Sequence, residues 1–503
     1  MKYKKPKSIV TVNYPKVYRE YSKWLILNWK LGGCKMSVLL KNGMIVTAVE
    51  EFCGDIYVED GKISAIGENL NLEAANVIDA TGKYILPGGV DQHVHYSFDY
   101  KGEKVKGFET SNAAIVGGTT TVIEFVNQGK GKGMAETIEE YDRDEVSNLA
   151  MVDYSFHGIV TDPTDELFEE IPTLPKKGIS TIKLFMAYKG LPFHCDDEAV
   201  FKALKASKAG GVTVMVHAEN ADVIDFLQKE CIENGQTDPY YHAVSRPVLV
   251  EVEATQRAIH LAALADAPIY IVHVSAKEVM ETIRSSYNQG VSVFGETCTQ
   301  YLVLDKEDLA KPDFEGAKYV LSPALRTEKD REGLWEAINK GWINAVSSDH
   351  CGFNWEKQKH MGIDDFTNIP NGSPGVQDRL AILWTEGVNK GRISRQRLVD
   401  LYATMPAKIN GLDHRKGHIG VGYDADLVIY DPTSKSIISN ETSLHGVDFS
   451  IFEGMEQEGH VDKVFLRGKL LVDDGKFIGE EGVGEFIPSK PFGSCYENAK
   501  QKA

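Results

Sequence analysis

Pro87-Gly-Gly-Val-Asp-Gln-His-Val-His95 is the stretch on which the reading of this chain turns. His93 and His95 stand two residues apart, the repeat of a β-strand, so both imidazoles leave one face. Two neutral imidazoles side by side make a clamp for a divalent transition metal. The apolar run Tyr84-Ile-Leu-Pro87 leads into a Gly-Gly break, and the segment after it ends at the histidines. This predicts a strand carrying ligands at its C-terminal end. The spacing alone is weak evidence, because most His-x-His pairs bind nothing. The rest of the chain has to supply matching ligands.

Downstream, strand-like runs alternate with longer segments of helical period. The runs are Thr119–Phe125, Asp153–Val160, Ser180–Met186, Thr213–His217, Pro268–His273, Val291–Thr297 and Ile343–Asp349. With the opening strand they make eight β-then-α units. Eight units over roughly 260 residues match a (β/α)8 TIM barrel, whose usual size is about 250. A doubly wound open sheet is the rival, but no Gly-x-Gly-x-x-Gly follows an early strand.

The flanks read differently. Short alternating strands fill residues 36–84, with Asn42-Gly43 and Asp60-Gly61 as turns between them. They predict a small antiparallel β unit. The β rhythm returns over 412–480, in Leu427-Val-Ile-Tyr430 and Val464–Val472. A single small β-sandwich domain built from both chain ends, flanking a barrel over 85–411, is the economical organisation. Residues 481–503 form a C-terminal tail. Residues 1–35 are Lys-rich with Glu20 as the only acid, and they read as a basic, disordered extension rather than a signal peptide.

With 503 residues there is ample length for a large core, and the net charge of −18 argues against nucleic-acid or anionic-membrane binding. No apolar run approaches a membrane span. Seven scattered cysteines without a Cys-x-x-Cys pair argue against a disulfide framework and fit a reducing cytoplasm.

Barrel enzymes keep their chemistry at the C-terminal ends of the strands. There the sequence places His93 and His95 on strand 1, Lys183 on strand 4, His217 on strand 5, His273 on strand 6 and Asp349 on strand 8. Any one of these is more often a structural histidine or a helix cap. Together they read as a metal site. His157, near the end of strand 3, is a competing candidate by position, and His350 points to the opposite face of a regular strand; both are left out of the ligand set.

The opening stretch, Lys183-Leu-Phe-Met-Ala-Tyr-Lys-Gly190, Val216-His-Ala-Glu-Asn220, Ile271-Val-His-Val-Ser275, Glu296-Thr-Cys-Thr-Gln-Tyr-Leu302, Ser348-Asp-His-Cys351 and Pro370-Asn-Gly372 resemble the cyclic amidohydrolases. Within these they are similar to the dihydropyrimidinase and D-hydantoinase branch, from about Met36 to Phe492. The resemblance implies a homotetrameric enzyme with two divalent metal ions per subunit, Zn2+ first and Mn2+ or Co2+ as alternatives. His93, His95 and Asp349 would hold one ion, His217 and His273 the other, and Lys183, carbamylated by CO2, would bridge them. Asp349 would take and return the proton, and Tyr188 would donate to the developing oxyanion. Tyr188, Ser322 and Asn371 would bind a cyclic amide or imide, with Phe185 and the loop Tyr96–Gly107 around its exocyclic group. The expected reaction is hydrolysis of 5,6-dihydropyrimidines or 5-substituted hydantoins to N-carbamoyl amino acids. Allantoinase or dihydroorotase activity and a non-catalytic scaffold are the alternatives. Thr299 and Ala324 stand where prolines are common in this branch, which bears on specificity rather than on the reaction.

Overall fold

Barrel strands buried on both faces should lack alternation, and Thr119–Asn127 and Asp153–Ile159 are buried along nearly their whole length. The computed structural model describes residues 37–493 and Tyr496; the expected basic extension, 1–35, lies outside them. The barrel strands are Gly89–His95, Thr119–Asn127, Asp153–Ile159, Thr181–Phe185, Thr213–His217, Ile269–Ile271, Val293–Cys298 and an eighth in two pieces, Ala345–Ser347 and His350–Cys351. Neighbours pair in parallel in chain order. The first piece of strand 8 pairs with strand 7 and the second with strand 1, which closes the ring. The expected unbroken strand to Asp349 therefore gives way at Ser348-Asp349, where Asp349 takes φ 50°.

The Gly-Gly break has a packing cause. A Cβ on Gly88 would lie 2.1 Å from Thr120 Oγ1, and one on Gly89 2.2 Å from Tyr402 Cζ. Bare backbone lets strand 1 press against its neighbours. At the seam between strands 1 and 8, buried Arg379 donates to the carbonyls of Val90 (3.2 Å), Val346 (3.0 Å) and Tyr402 (3.2 Å) and to Thr119 Oγ1 (3.0 Å). Asp91 faces it at 3.5 Å.

The outer helices follow from ordinary capping. Asp197–Gly210 starts where the Asp196 side chain accepts from Ala199 N and stops at left-handed Gly211 (φ 78°). Its Ala199, Val200, Ala203 and Leu204 face inward. Removing the Asp196 cap would cost about 1 kcal/mol.

The chain ends combine, as expected, into a second layer. It is one hydrogen-bonded sheet of nine strands in which Tyr84–Pro87 pairs with Leu427–Tyr430. The sheet curls over a shared core that includes Leu40, Ile56, Ile85, Leu427 and Phe465. A bridge from Lys62 to Asp424 brings its edge strand back beside the segment leading into Leu427. Two expectations need correcting. The unit is not purely antiparallel, because Ser37–Val46 pairs in parallel with Asn76–Asp79 and with Tyr84-Ile85. Asn42-Gly43 is not a turn between two strands but a bulge within the single strand Ser37–Val46, with Asn42 at φ 62°. A hairpin there would expose Gly43, whose backbone instead packs on Ile85. Asp60-Gly61, with φ 50° and 79°, does turn the hairpin between Glu51–Glu59 and Lys62–Gly67. The tail runs beneath the barrel: Ile487 is fully buried, Ser489 Oγ meets Ser180 Oγ at 2.7 Å, and Tyr496 packs on Phe294.

Candidate active site

The strand ends converge on a cavity of about 440 Å3. His95, Lys183, His217, His273, Asp349 and Tyr188 all line it, and His93 lies just beneath, fully buried. Asp349 Oδ1 is 3.2 Å from His93 Nε2 and 3.4 Å from His95 Nε2. One ligand atom from each of these three residues falls within 4.8 Å of the others. The His217 and His273 rings stand 4.4 Å apart, centroid to centroid. Three of the converging residues, Tyr188 (φ 63°), His273 (φ 40°) and Asp349 (φ 50°), sit in left-handed backbone just past their strands. Non-glycine residues rarely hold that conformation, and it clusters at functional sites.

Burial holds the imidazoles of His93, His95, His217 and His273 below their ordinary value. Neutral imidazole is the form that binds metal. Burial alone would raise the Asp349 carboxyl, but the facing His93, His95 and His273 keep it well below the usual carboxylate range.

Lys183 lies among these rings, with Nζ 3.0 Å from His93 Nε2 and over the faces of Phe125 and Phe185. Among the described residues it forms no ion pair within 4 Å, and burial pushes its ammonium down to about 8. His273 Nδ1 is buried with no hydrogen-bond partner. A cation without an ion pair among the described residues, an orphaned imidazole nitrogen and a carboxylate facing two more imidazoles form a donor set suited to a metal centre. The residues fit such a group. The other acidic cluster, Asp153, Asp424 and Asp426, does not, because the Lys416 ammonium already occupies it.

Behind the cavity, carboxylates that the sequence reading quoted but did not assign fix the rings. Glu296 Oε1 lies 2.5 Å from His93 Nδ1 and its Oε2 accepts from Gln92 Nε2 at 2.6 Å. This leaves His93 Nε2 for the cavity. Burial raises the Glu296 carboxyl to about 7. Glu219 Oε2 lies 2.7 Å from His217 Nε2 and accepts from Arg246 at 2.8 Å. Burial opposes its charge, yet Arg246 and His217 hold it far below the usual range. The His217-x-Glu219 spacing, one strand repeat, was the available signal; nothing local links Glu296 to His93.

The remaining expected residues separate cleanly. Asn371 Nδ2 donates to Tyr188 Oη at 3.2 Å and lies 3.5 Å from Ser322 Oγ, so these three share one wall. Tyr188 Oη accepts there, which leaves its own proton to donate into the cavity. Phe185 lines the cavity with Phe98 and Tyr100 of the loop after His95. His157 turns away: its nitrogens meet Thr181 Oγ1 and the Gln92 carbonyl. His350 is also buried outside the cavity, its ring packed at a tilt against Tyr96 and His445. Thr299 opens the helix Thr299–Val303, and both it and Ala324 are fully buried away from solvent.

The chain as a whole resembles known proteins. The amidohydrolase family profile covers residues 84–471. The D-hydantoinase of Geobacillus stearothermophilus is 46% identical over 462 residues, 91% of this chain and 98% of that protein. The D-hydantoinase of Ralstonia pickettii is 44% identical over 459 residues, 91% of this chain and all of that one. The crystal structure of dihydropyrimidinase from Brevibacillus agri superposes with a TM-score of 0.89 at 44% identity, covering 91% of this chain and 99% of that one. The chain belongs to the amidohydrolase family, and within it to the D-hydantoinase and dihydropyrimidinase branch.

Proposed function

We propose that the protein is a binuclear metallohydrolase that opens the cyclic amide of 5-substituted hydantoins and 5,6-dihydropyrimidines, giving N-carbamoyl amino acids. The observation that carries this reading is the buried Lys183 ammonium, which forms no ion pair among the described residues and is set among four neutral histidines with Asp349 nearby. His93, His95 and Asp349 would hold one ion and His217 and His273 the other. As the resemblance to the hydantoinase branch implies, Lys183 would supply the shared anionic ligand once CO2 has converted its amine to a carbamate with loss of a proton. Zinc suits this nitrogen and oxygen set, with manganese or cobalt as substitutes. Two such ions, when bound, supply acidified water at neutral pH.

The chain's own groups do the rest. Asp349 accepts the proton of the attacking water, whose oxygen bonds to the ring carbonyl carbon. Asp349 then returns that proton to the ring nitrogen as the C–N bond breaks. Tyr188 donates to the carbonyl oxygen as negative charge grows there. Backbone groups at Ser322 and Asn371 hold the imide edge, which leaves the ring substituent to the aromatic wall of Phe98, Tyr100 and Phe185. The five cysteines described in the structure are all free, which supports a reducing, cytoplasmic setting. The proposed assembly is a homotetramer, to be checked by light scattering.

Ring-opening rates of the metal-loaded protein on dihydrouracil, hydantoin, phenylhydantoin, allantoin and dihydroorotate test the reading. Turnover should concentrate on the first three. Fast turnover of allantoin alone would overturn it.

A further inference from the structure

Lys359 opens the short 3-10 helix Lys359–Gly362, in the long connection after barrel strand 8, and is fully buried. Its ammonium donates to two carbonyls, Val320 O at 2.7 Å and Pro370 O at 2.8 Å. Val320 lies two residues before Ser322, and Pro370 directly precedes Asn371. One cation thus grips both segments whose backbone groups were assigned to the imide edge, although it does not itself line the cavity and meets it only from behind, over the Phe353 ring.

A buried ammonium costs stability unless it is paired. Burial pushes Lys359 down to about 7, and among the described residues it forms no ion pair. An apolar side chain would fill this space at lower cost, so its use here points to position rather than stability. The surrounding hydrogen bonds agree. Gly372 N donates to Val320 O at 3.1 Å, Ser373 Oγ donates to Lys318 O at 2.8 Å, and His242 Nε2 holds Leu321 O at 2.8 Å. The Gly372 and Ser373 contacts join the two segments on the far side of Asn371. The further tie, from Val320 through the ammonium to Pro370, anchors the side before Asn371 and fixes their spacing and tilt.

We propose that Lys359 is a positioning residue whose ammonium sets the gap between the Ser322 and Asn371 segments, and through it the fit of the substrate's imide edge. The inference rests on the cyclic-imide reading given above. The edge is held in both ground and transition states, so loosening it weakens both alike and shows in KM rather than kcat.

The test is Lys359→Met in the metal-loaded full chain. KM for hydantoin and dihydrouracil should rise about tenfold or more, the worth of roughly one well-placed hydrogen bond. The value of kcat should stay within about threefold and metal per chain should be unchanged. Lys359→Gln, whose amide can still reach one carbonyl, should fall between the two. A wild-type KM in the Met variant, or kcat lost together with bound metal, would overturn the proposal. If the Met variant does not accumulate as folded protein, the Gln variant decides by the same criterion. Wild-type protein inert toward every cyclic imide would bring down the functional reading and this proposal with it. An active wild type with unchanged KM in the variants would overturn this proposal alone.

Discussion

Replacing Glu296 by Gln isolates the carboxylate that aims His93. In the native protein the Glu296 oxygens accept from His93 Nδ1 at 2.5 Å and from Gln92 Nε2 at 2.6 Å. An amide of the same shape has one acceptor oxygen, so its NH2 must face one of those donors. A buried donor left without an acceptor costs about 1–3 kcal/mol. If His93 escapes by moving its proton to Nε2, the nitrogen facing Asp349 at 3.2 Å is no longer a ligand. Either route weakens metal binding. Loss of such a partner lowers affinity by about 10–100-fold, or roughly 1.4–2.7 kcal/mol. The assay is chelator competition with metal counted per chain, alongside thermal melting of both proteins in excess metal. Glu296→Gln should release one ion at lower chelator concentration, regain much of its activity when metal is added back, and melt close to wild type when loaded. Metal affinity within about twofold of wild type would refute the reasoning, since the hydrogen bond would then do nothing for the ring.

Lys183→Ala should lose bound metal and activity together, and Lys183→Arg, cationic but unable to form a carbamate, should rescue neither; an active arginine variant would show that no anion is needed there. Tyr188→Phe should lower kcat about 10²–10³-fold with little change in metal content, so a loss confined to KM would remove Tyr188 from the oxyanion. The third concerns acid. Burial holds His445 down to about 3, with Gln377 N donating to its Nε2 at 3.1 Å and Ser443 Oγ at its Nδ1. The unfolded state, with a pKa near 6.5, binds the proton that the folded state refuses, so this contribution is intact above about pH 6.5 and is lost as pH falls toward 3. At pH 5 the loss is about 2 kcal/mol. His445→Gln should flatten the urea-unfolding stability between pH 7 and pH 5 by about that amount, and an unchanged slope would count against it.

The barrel and the convergence of its proposed ligands were legible because both depend on short repeats. Period two puts His93 and His95 on one face, and Lys183 and His217 lie on short, almost wholly buried strands. What the sequence hid was made by contacts across it. Glu296 and His93 are 203 positions apart and meet only when strands 1 and 7 close the ring. Lys359 lies in a connection with no periodicity to read, and its partners are carbonyls, which every residue carries. Asn42-Gly43 has the composition of a hairpin turn, and only the neighbouring Ile85 reveals that the strand runs on through it. The break at Ser348-Asp349 was hidden because Ile343–Asp349 has the composition of an unbroken strand, while closure against strand 1 makes it kink.

The sheet built from both chain ends has a consequence during synthesis. Tyr84–Pro87 leaves the ribosome early, and its partner Leu427–Tyr430 follows roughly 340 residues later, a wait of about 20–70 s at ordinary elongation rates. Through that interval the apolar edge of Tyr84–Pro87 has no strand on one side, the situation in which sheets recruit the wrong neighbour. The barrel, assembled from consecutive units, can close first and hold Gly89 in place. The nascent chain thus reaches its last strands with the site's scaffold already built and an exposed strand still to be covered.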